Sequence, residues 1–271
     1  MYHSVTFGSK NTFTDWHLVP DGRPVISMPE LKKVTVDIPG RNSVLDLSQA
    51  VSKYPVFNNR TGTLKFHVLN GYGDWQSRYT SIAEYIHGKN TEVRLEDDPL
   101  WYYRGRVYVK EWTSNNDGTW SDISFDYDLE PYKLANKTVM TGDWLWDPFS
   151  FVNGNIRANE FKDIVVDNDN YRYLWLMDKI GVMPVTPTIY VDSRQGIDFI
   201  FNNPELDIKI NKFGIQSGTY TWPEVVFTNM NEFRNLTNDE ARWYTSHVMY
   251  KKTVPDGPDA KFSIDFRRGS L

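Results

Sequence analysis

The stretch that decides the fold reads GRNSVLDLSQAV (residues 40–51), YPVFNNRTGTLKFHV (54–68) and DWQSRYTSIAEYIHGKNTEVRLEDDPLWYYRGRV (74–107). A single helix organises it. Trp75, Tyr79, Ile82 and Ile86 recur at three- and four-residue spacing and make one apolar stripe. Asp74 precedes the stripe as an N-cap, because its carboxylate can accept a bond from an early helical N–H. Gly88 stands where a left-handed C-cap favours glycine, and Lys89 suits the negative end of the helix. Strand patterns flank the helix. Leu64, Phe66 and Val68 alternate with Thr63, Lys65 and His67, while Val93 and Leu95 alternate with Glu92, Arg94 and Glu96. Asp97-Asp98-Pro99 signals a turn, after which Trp101–Tyr103 and Val107–Val109 flank Arg104-Gly105-Arg106.

The pattern continues on both sides. Val5 and Phe7, then Trp16, Leu18 and Val19 before Pro20-Asp21-Gly22, read as strands. Val34, Val36 and Ile38 alternate with Lys33, Thr35 and Asp37 as an edge or hairpin strand, and Ser43–Val51 has room for one helical turn. Trp120, Ile123, Phe125 and Tyr127 close the first half as a strand. Pro131, Gly142 and Asp147-Pro148 break the periodicity, which places a domain boundary near residue 134, to within about ten residues. Trp144, Trp146, Phe149 and Phe151 in this joint read as packing between domains. In the second half, residues 135–271, strands are expected at Ile164–Val166, Thr188–Val191, Ile197–Phe201, Leu206–Ile210, Thr219–Val226, His247–Tyr250 and Ala260–Phe266. That spacing suggests a β-sandwich. Asn238–Trp243 reads as a helical turn.

Composition narrows the class. Aromatic residues make up 15% of the 271 residues, with ten Trp and sixteen Tyr, which favours strands and interfaces. The net charge of −5 argues against a generally electropositive nucleic-acid surface. No cysteine is present, which excludes disulfides, thiolate metal sites and a cysteine nucleophile. The opening MYHSVTFGSKNTF lacks the apolar run of a signal peptide, and no stretch approaches the ~18 apolar residues of a membrane helix. The expected class is mostly β, with a first domain containing one amphipathic helix.

Catalytic signals are weak. His3, His17, His67, His87 and His247 show no metal-ligand spacing beside a carboxylate. Glu96, Asp97 and Asp98 are the only run of three carboxylates, but alternation sends them to different faces and the bland reading is a capped turn. Gly71-Tyr72-Gly73 resembles a fragment of a phosphate loop without its remainder. Arg41, Arg60, Arg104 and Arg106 stand near aromatics and are candidate subunit contacts, with plain surface roles an equal reading. Trp175, Trp222, Trp243 and Tyr244 are candidates for stacking on sugar rings, although core or interface roles fit most tryptophans.

Taken in order, Gly40-Arg41-Asn42, Leu45-Asp46-Leu47-Ser48, Asn59-Arg60, Ile86-His87-Gly88-Lys89, Leu95-Glu96-Asp97-Asp98-Pro99, Tyr102-Tyr103 and Gly105-Arg106-Val107 resemble the distal tail protein family of long-tailed bacteriophages. Met183–Ile189 and the terminal Phe266-Arg267-Arg268-Gly269-Ser270-Leu271 continue the resemblance, and Asn229–Ala241 departs from it as a longer insertion. The resemblance implies a ring-forming N-terminal β domain and a C-terminal galectin-like β-sandwich. It implies a homo-hexameric hub in the virion, assembled in the host cytoplasm. Such a hub joins the tail tube protein to tail-tip, baseplate or tail-associated lysin proteins. DNA would pass through its channel without specific binding. No enzyme activity, cofactor, metal or membrane is implied. The alternative is a carbohydrate-binding, host-attachment sandwich.

Overall fold

The strand Ser121–Leu129 divides its side chains cleanly: Ile123, Phe125, Tyr127 and Leu129 are buried, while Asp122, Ser124, Asp126 and Asp128 lie on the other face. A period of two does this wherever one face of a sheet is packed and the other is solvated. In the computed structural model, residues 2–69, 75–114, 121–141, 160–176, 180–228 and 246–271 are described. The chain divides into two units, Met1–Asn136 with Leu271, and Lys137–Ser270. The protein is mostly β, with one helix among the described residues. No helix among them is long and apolar enough to cross a membrane.

The first unit is an antiparallel sheet. Across it the strands run Lys10–Asn11, Val5–Phe7, Asn90–Leu95, Trp101–Ser114, Ser121–Leu129, Arg60–Val68 and Leu18–Pro20. The helix Trp75–Ile86 covers the apolar face, where Ile82 and Ile86 join Val93, Val107, Val109 and Phe125 in one core. The expected stripe is buried at its C-terminal end only, since Trp75 remains 45% exposed. Gly88, at φ +71°, terminates the helix, and the Lys89 N–H donates to the Ile86 carbonyl at 3.1 Å. Asp74 and Gly71–Gly73 lie outside the described residues, as do Trp120 and the Trp144–Phe151 group. Trp101–Ser114 is a single long strand running through Arg104-Gly105-Arg106. Gly105 is required there: a Cβ would approach the Asp128 carbonyl oxygen to 2.3 Å.

Two four-stranded sheets build the second unit. One is ordered Ile164–Val166, Ala260–Asp265, Thr188–Asp192, Gly218–Thr221, and the other Arg172–Trp175, His247–Lys252, Ile197–Asn203, Ile208–Ile215. Their inner faces share one core. Phe262 of the first sheet meets Phe199 and Tyr250 of the second at ring-centroid distances of 5.0 and 4.8 Å. Such ring pairs add roughly 0.5–1.5 kcal/mol beyond the area they bury. The strand expected at Leu206–Ile210 starts at Ile208, and that at Thr219–Val226 stops at Thr221. Asn238–Trp243 and the Asn229–Ala241 insertion lie outside the described residues.

Because Ile86 is 1% exposed under the helix, Ile86→Ala is expected to lower unfolding free energy by about 2–5 kcal/mol in chemical denaturation. Trp75→Ala at the exposed end should change it by well under half as much.

Candidate functional site

Between the strands Leu18–Pro20 and Arg60–Val68 the chain leaves the sheet as an arm. From Ser27 to Asn59 no residue is buried. Its two legs are zipped by short antiparallel contacts. The Lys32 N–H donates to the Val56 carbonyl, and the Asn58 N–H to the Glu30 carbonyl, both at 2.8 Å, with Leu31 opposite Phe57. Beyond them Thr35–Val36 pairs with Leu45–Asp46 in a two-stranded hairpin. The sequence had room for a helical turn from Ser43; Leu45–Asp46 is instead extended, and the turn follows it, with the Lys53 N–H donating to the Gln49 carbonyl at 2.8 Å.

The root of the arm is fixed by three clusters. Arg60 is buried to 1% exposure. Its Nη1 donates to the Ser27 carbonyl at 2.7 Å and its Nε to the Pro131 carbonyl at 2.8 Å. The guanidinium also sits 5.3 Å from the Tyr103 ring, which offsets the lack of a hydrogen-bond partner at Nη2. Burial lowers the Arg60 pKa, an effect opposed by Tyr103 and Tyr127, and arginine nevertheless stays charged. The Tyr127 hydroxyl accepts from the Ser27 N–H at 3.0 Å, and the Ser27 hydroxyl donates to the Thr61 carbonyl at 2.8 Å. Gly62 makes this crossing possible, since a Cβ there would lie 2.3 Å from the Tyr127 oxygen.

The second cluster is His67, whose ring nitrogens reach Asp122 at 2.5 Å and Asp21 at 2.9 Å. The hydrogen bond to Asp122, with charge attraction from Asp122 and Asp21, raises the His67 pKa above the ordinary histidine value. In the third, Asp97 accepts from His3 at 2.8 Å and from Arg23 at 2.7 Å, and these bonds, His3 first, hold its carboxyl below the ordinary aspartate range. The neighbouring acids have separate partners. Glu96 accepts from the Ser4 N–H at 2.8 Å, and Asp98 pairs with Lys133 at 2.8 Å. Glu96 and Asp97 thus both hold the His3–Ser4 segment, Asp97 also holds Arg23, and Asp98 holds Lys133. No group of three or more His, Cys, Asp or Glu among the described residues has a metal-binding arrangement.

The candidate arginines are not brought together. Arg41 is exposed on the arm, in the hairpin loop beside Gly40 at φ +83°. Arg60 is a correction: with its side chain enclosed by its own subunit, it has no surface to offer another copy, and it acts by holding Ser27. Arg104 and Arg106 share the outer face of the sheet, Arg104 at 4.0 Å from Glu130 and Arg106 donating to the Gly88 carbonyl at the end of the helix. The aromatic candidates are also dispersed. Trp175 lies on the outer side of its sheet, stacked on Tyr173 at 5.4 Å and against the buried His247 at 4.8 Å. Trp222 packs on Phe201 and Tyr220 at 5.5 and 5.3 Å, with Lys212 over its ring at 5.4 Å. Trp243 and Tyr244 lie outside the described residues.

Compared with solved structures, the whole chain matches the crystal structure of the SPP1 Dit protein (gp 19.1), described as a paradigm of the hub adsorption apparatus in phages infecting Gram-positive hosts. The match covers 100% of both chains with a TM-score of 0.55 and 12% sequence identity. The chain has the fold of that phage Dit protein. At this identity the likeness speaks for the fold alone. No family model matches the sequence, and no curated protein matches it.

Two outcomes follow from the root of the arm. Arg60→Ala strands the Ser27 and Pro131 carbonyls, so unfolding free energy should fall by about 2–4 kcal/mol and amide exchange should accelerate around residues 24–32. For His67 the folded pKa is raised, so its clamp on Asp21 contributes fully below the ordinary histidine pKa and is lost as pH rises through the folded value. A pH series of unfolding midpoints should show that alkaline loss in the wild type and not in His67→Gln.

Proposed function

We propose that this protein is a structural hub of a bacteriophage tail tip. Six copies form a ring through the first unit, joining the tail tube to the tip or baseplate and its associated proteins. The second unit is a galectin-like sandwich set outside the ring, and the protein works in the virion after assembly in the host cytoplasm. It acts by shape and contact, without catalysis and without a cofactor. The observation that carries this reading is the correspondence of the entire chain, not one unit of it, with the fold of the SPP1 hub protein. The exposed arm supports it, because a chain that holds an apolar extension in solvent is incomplete by itself.

Charge is consistent with a DNA channel. Six chains at −5 carry about −30, so a lumen lined by acidic and neutral groups would let phosphates slide past rather than hold them. A second reading, binding of a cell-wall glycan, is favoured by the near-parallel stacks Tyr173–Trp175 and Tyr220–Trp222, at interplanar angles of 9° and 10°. Native mass spectrometry of the purified chain, alone and with tail-tube protein, is expected to show a six-copy species. A chain that stays monomeric in both mixtures would rule out the ring. Tryptophan fluorescence that responds to a cell-wall sugar would support the glycan reading instead.

A further inference from the structure

In the sheet of Arg172–Trp175, His247–Lys252, Ile197–Asn203 and Ile208–Ile215, the residues Phe199, Phe201, Val248 and Tyr250 point into the core of the second unit. Their alternates therefore point outward, and the register sets them in rows. One row runs Trp175, His247, Asn202, Lys209, each directly opposite the next. Beside it runs Tyr173, Met249, Ile200, Asn211. The face is graded across the strands. At one edge Tyr173 and Trp175 are stacked at 5.4 Å, with Tyr173 42% exposed. Half-buried Met249 and Ile200 make an apolar floor in the middle. Asn202, Asn211 and Lys209 stand at the other end, about 14 Å away across three strand spacings. His247 fixes both ends of its row. Its ring is 1% exposed and lies 4.8 Å from that of Trp175. Asn202 Nδ2 donates to His247 Nε2 at 3.2 Å, which turns the amide oxygen of Asn202 away from the imidazole. Among the described residues, that oxygen, the Asn211 amide and the Lys209 ammonium have no hydrogen bond or ion pair. Other lysines of the same sheet are paired, Lys212 with Glu224 at 2.7 Å and Lys251 with Asp198 at 3.8 Å.

We propose that this outer face binds an oligosaccharide of N-acetylated amino sugars, with a pyranose ring on Tyr173 and acetamido groups held by Asn202 and Asn211. The proposal rests on the glycan reading above and deepens it by naming the face and the sugar; it does not depend on the ring. A pyranose has an apolar C–H face and a rim of hydroxyls. An aromatic platform takes the first, and a few placed polar groups take the second. The acetamido group is selected by the middle and far end of the face. Its methyl fits the Met249–Ile200 floor. Its N–H and C=O both pair with a side-chain amide, which donates and accepts at once. Lys209 repels the ammonium of an amino sugar that lacks the acetyl group. A span of about 14 Å suits a short chain of sugars rather than one ring.

The test is calorimetric titration of the full chain with the hexamers of N-acetylglucosamine, glucosamine and glucose. The expected result is binding of the N-acetylglucosamine hexamer, about tenfold or more tighter than either of the others. Tyr173→Ala should weaken it by about tenfold, the worth of one stacked ring. Asn211→Ala, at an exposed side chain with no bond to lose, should weaken it by about fivefold with an unchanged unfolding midpoint. Tyr190→Ala should leave binding intact, since that ring lies on the outer face of the other sheet, between the core residues Ile189 and Val191. Equal binding of the glucose or glucosamine hexamer overturns the assignment to N-acetylated sugars and leaves the glycan reading standing. Binding that survives both Tyr173→Ala and Asn211→Ala overturns this face as the site. Silence from all three hexamers at millimolar concentration overturns the proposal and the glycan reading together. The copy number of the assembly, read separately by native mass spectrometry, stands or falls independently of these results.

Discussion

Arg60 carries a charge into the interior of the sheet unit and spends its hydrogen bonds on backbone carbonyls, those of Ser27 and Pro131. A buried guanidinium is tolerated only where such acceptors converge on it, so the site fixes its partners as firmly as they fix the site. One of those partners is the first residue of the exposed arm. Tyr127, reaching across Gly62 to the same residue, makes the attachment two-sided. The arm's position therefore depends on the core of the sheet. With His67 on Asp21 and Asp97 on Arg23, the root is held at three successive points. Such an element is built to be presented, while its tip has too few contacts of its own to stay covered.

Much of this was legible in local patterns. Alternation from Leu64 to Val68 and along Ile123–Tyr127 identifies the central strands, and Gly88 marks the end of the helix where its φ is positive. The misses have physical causes. Arg172–Trp175 is an edge strand whose first two side chains are exposed, so burial imposes little pattern on it. Leu45–Asp46 is extended because of its pairing with Thr35–Val36, a non-local contact that no short window reveals. Arg60 reads as a contact residue from its polar and aromatic surroundings, but its phase is the signal of burial: it lies an even number of residues from Leu64, Phe66 and Val68, on their buried face. The aliphatic alternation of the arm was visible. That none of the described residues of the same chain buries it was not, because exposure is a property of the fold.

The two kinds of surface divide the labour in the proposed hub. The outer face of the first sheet is charged and satisfies itself, as in Thr63 with Asp126 at 2.5 Å and Lys110 with Asp126 at 3.3 Å. Surface pairs of this kind add little stability, but they keep a broad sheet face soluble and unattractive to other sheets. The hairpin face is the opposite, aliphatic and exposed among the described residues.

The most direct test of the ring is an electron-microscope image of the purified protein. Six-fold rings with a central hole are the expected result. A field of separate single-chain particles, unchanged at high concentration and when tail-tube protein is present, would contradict it.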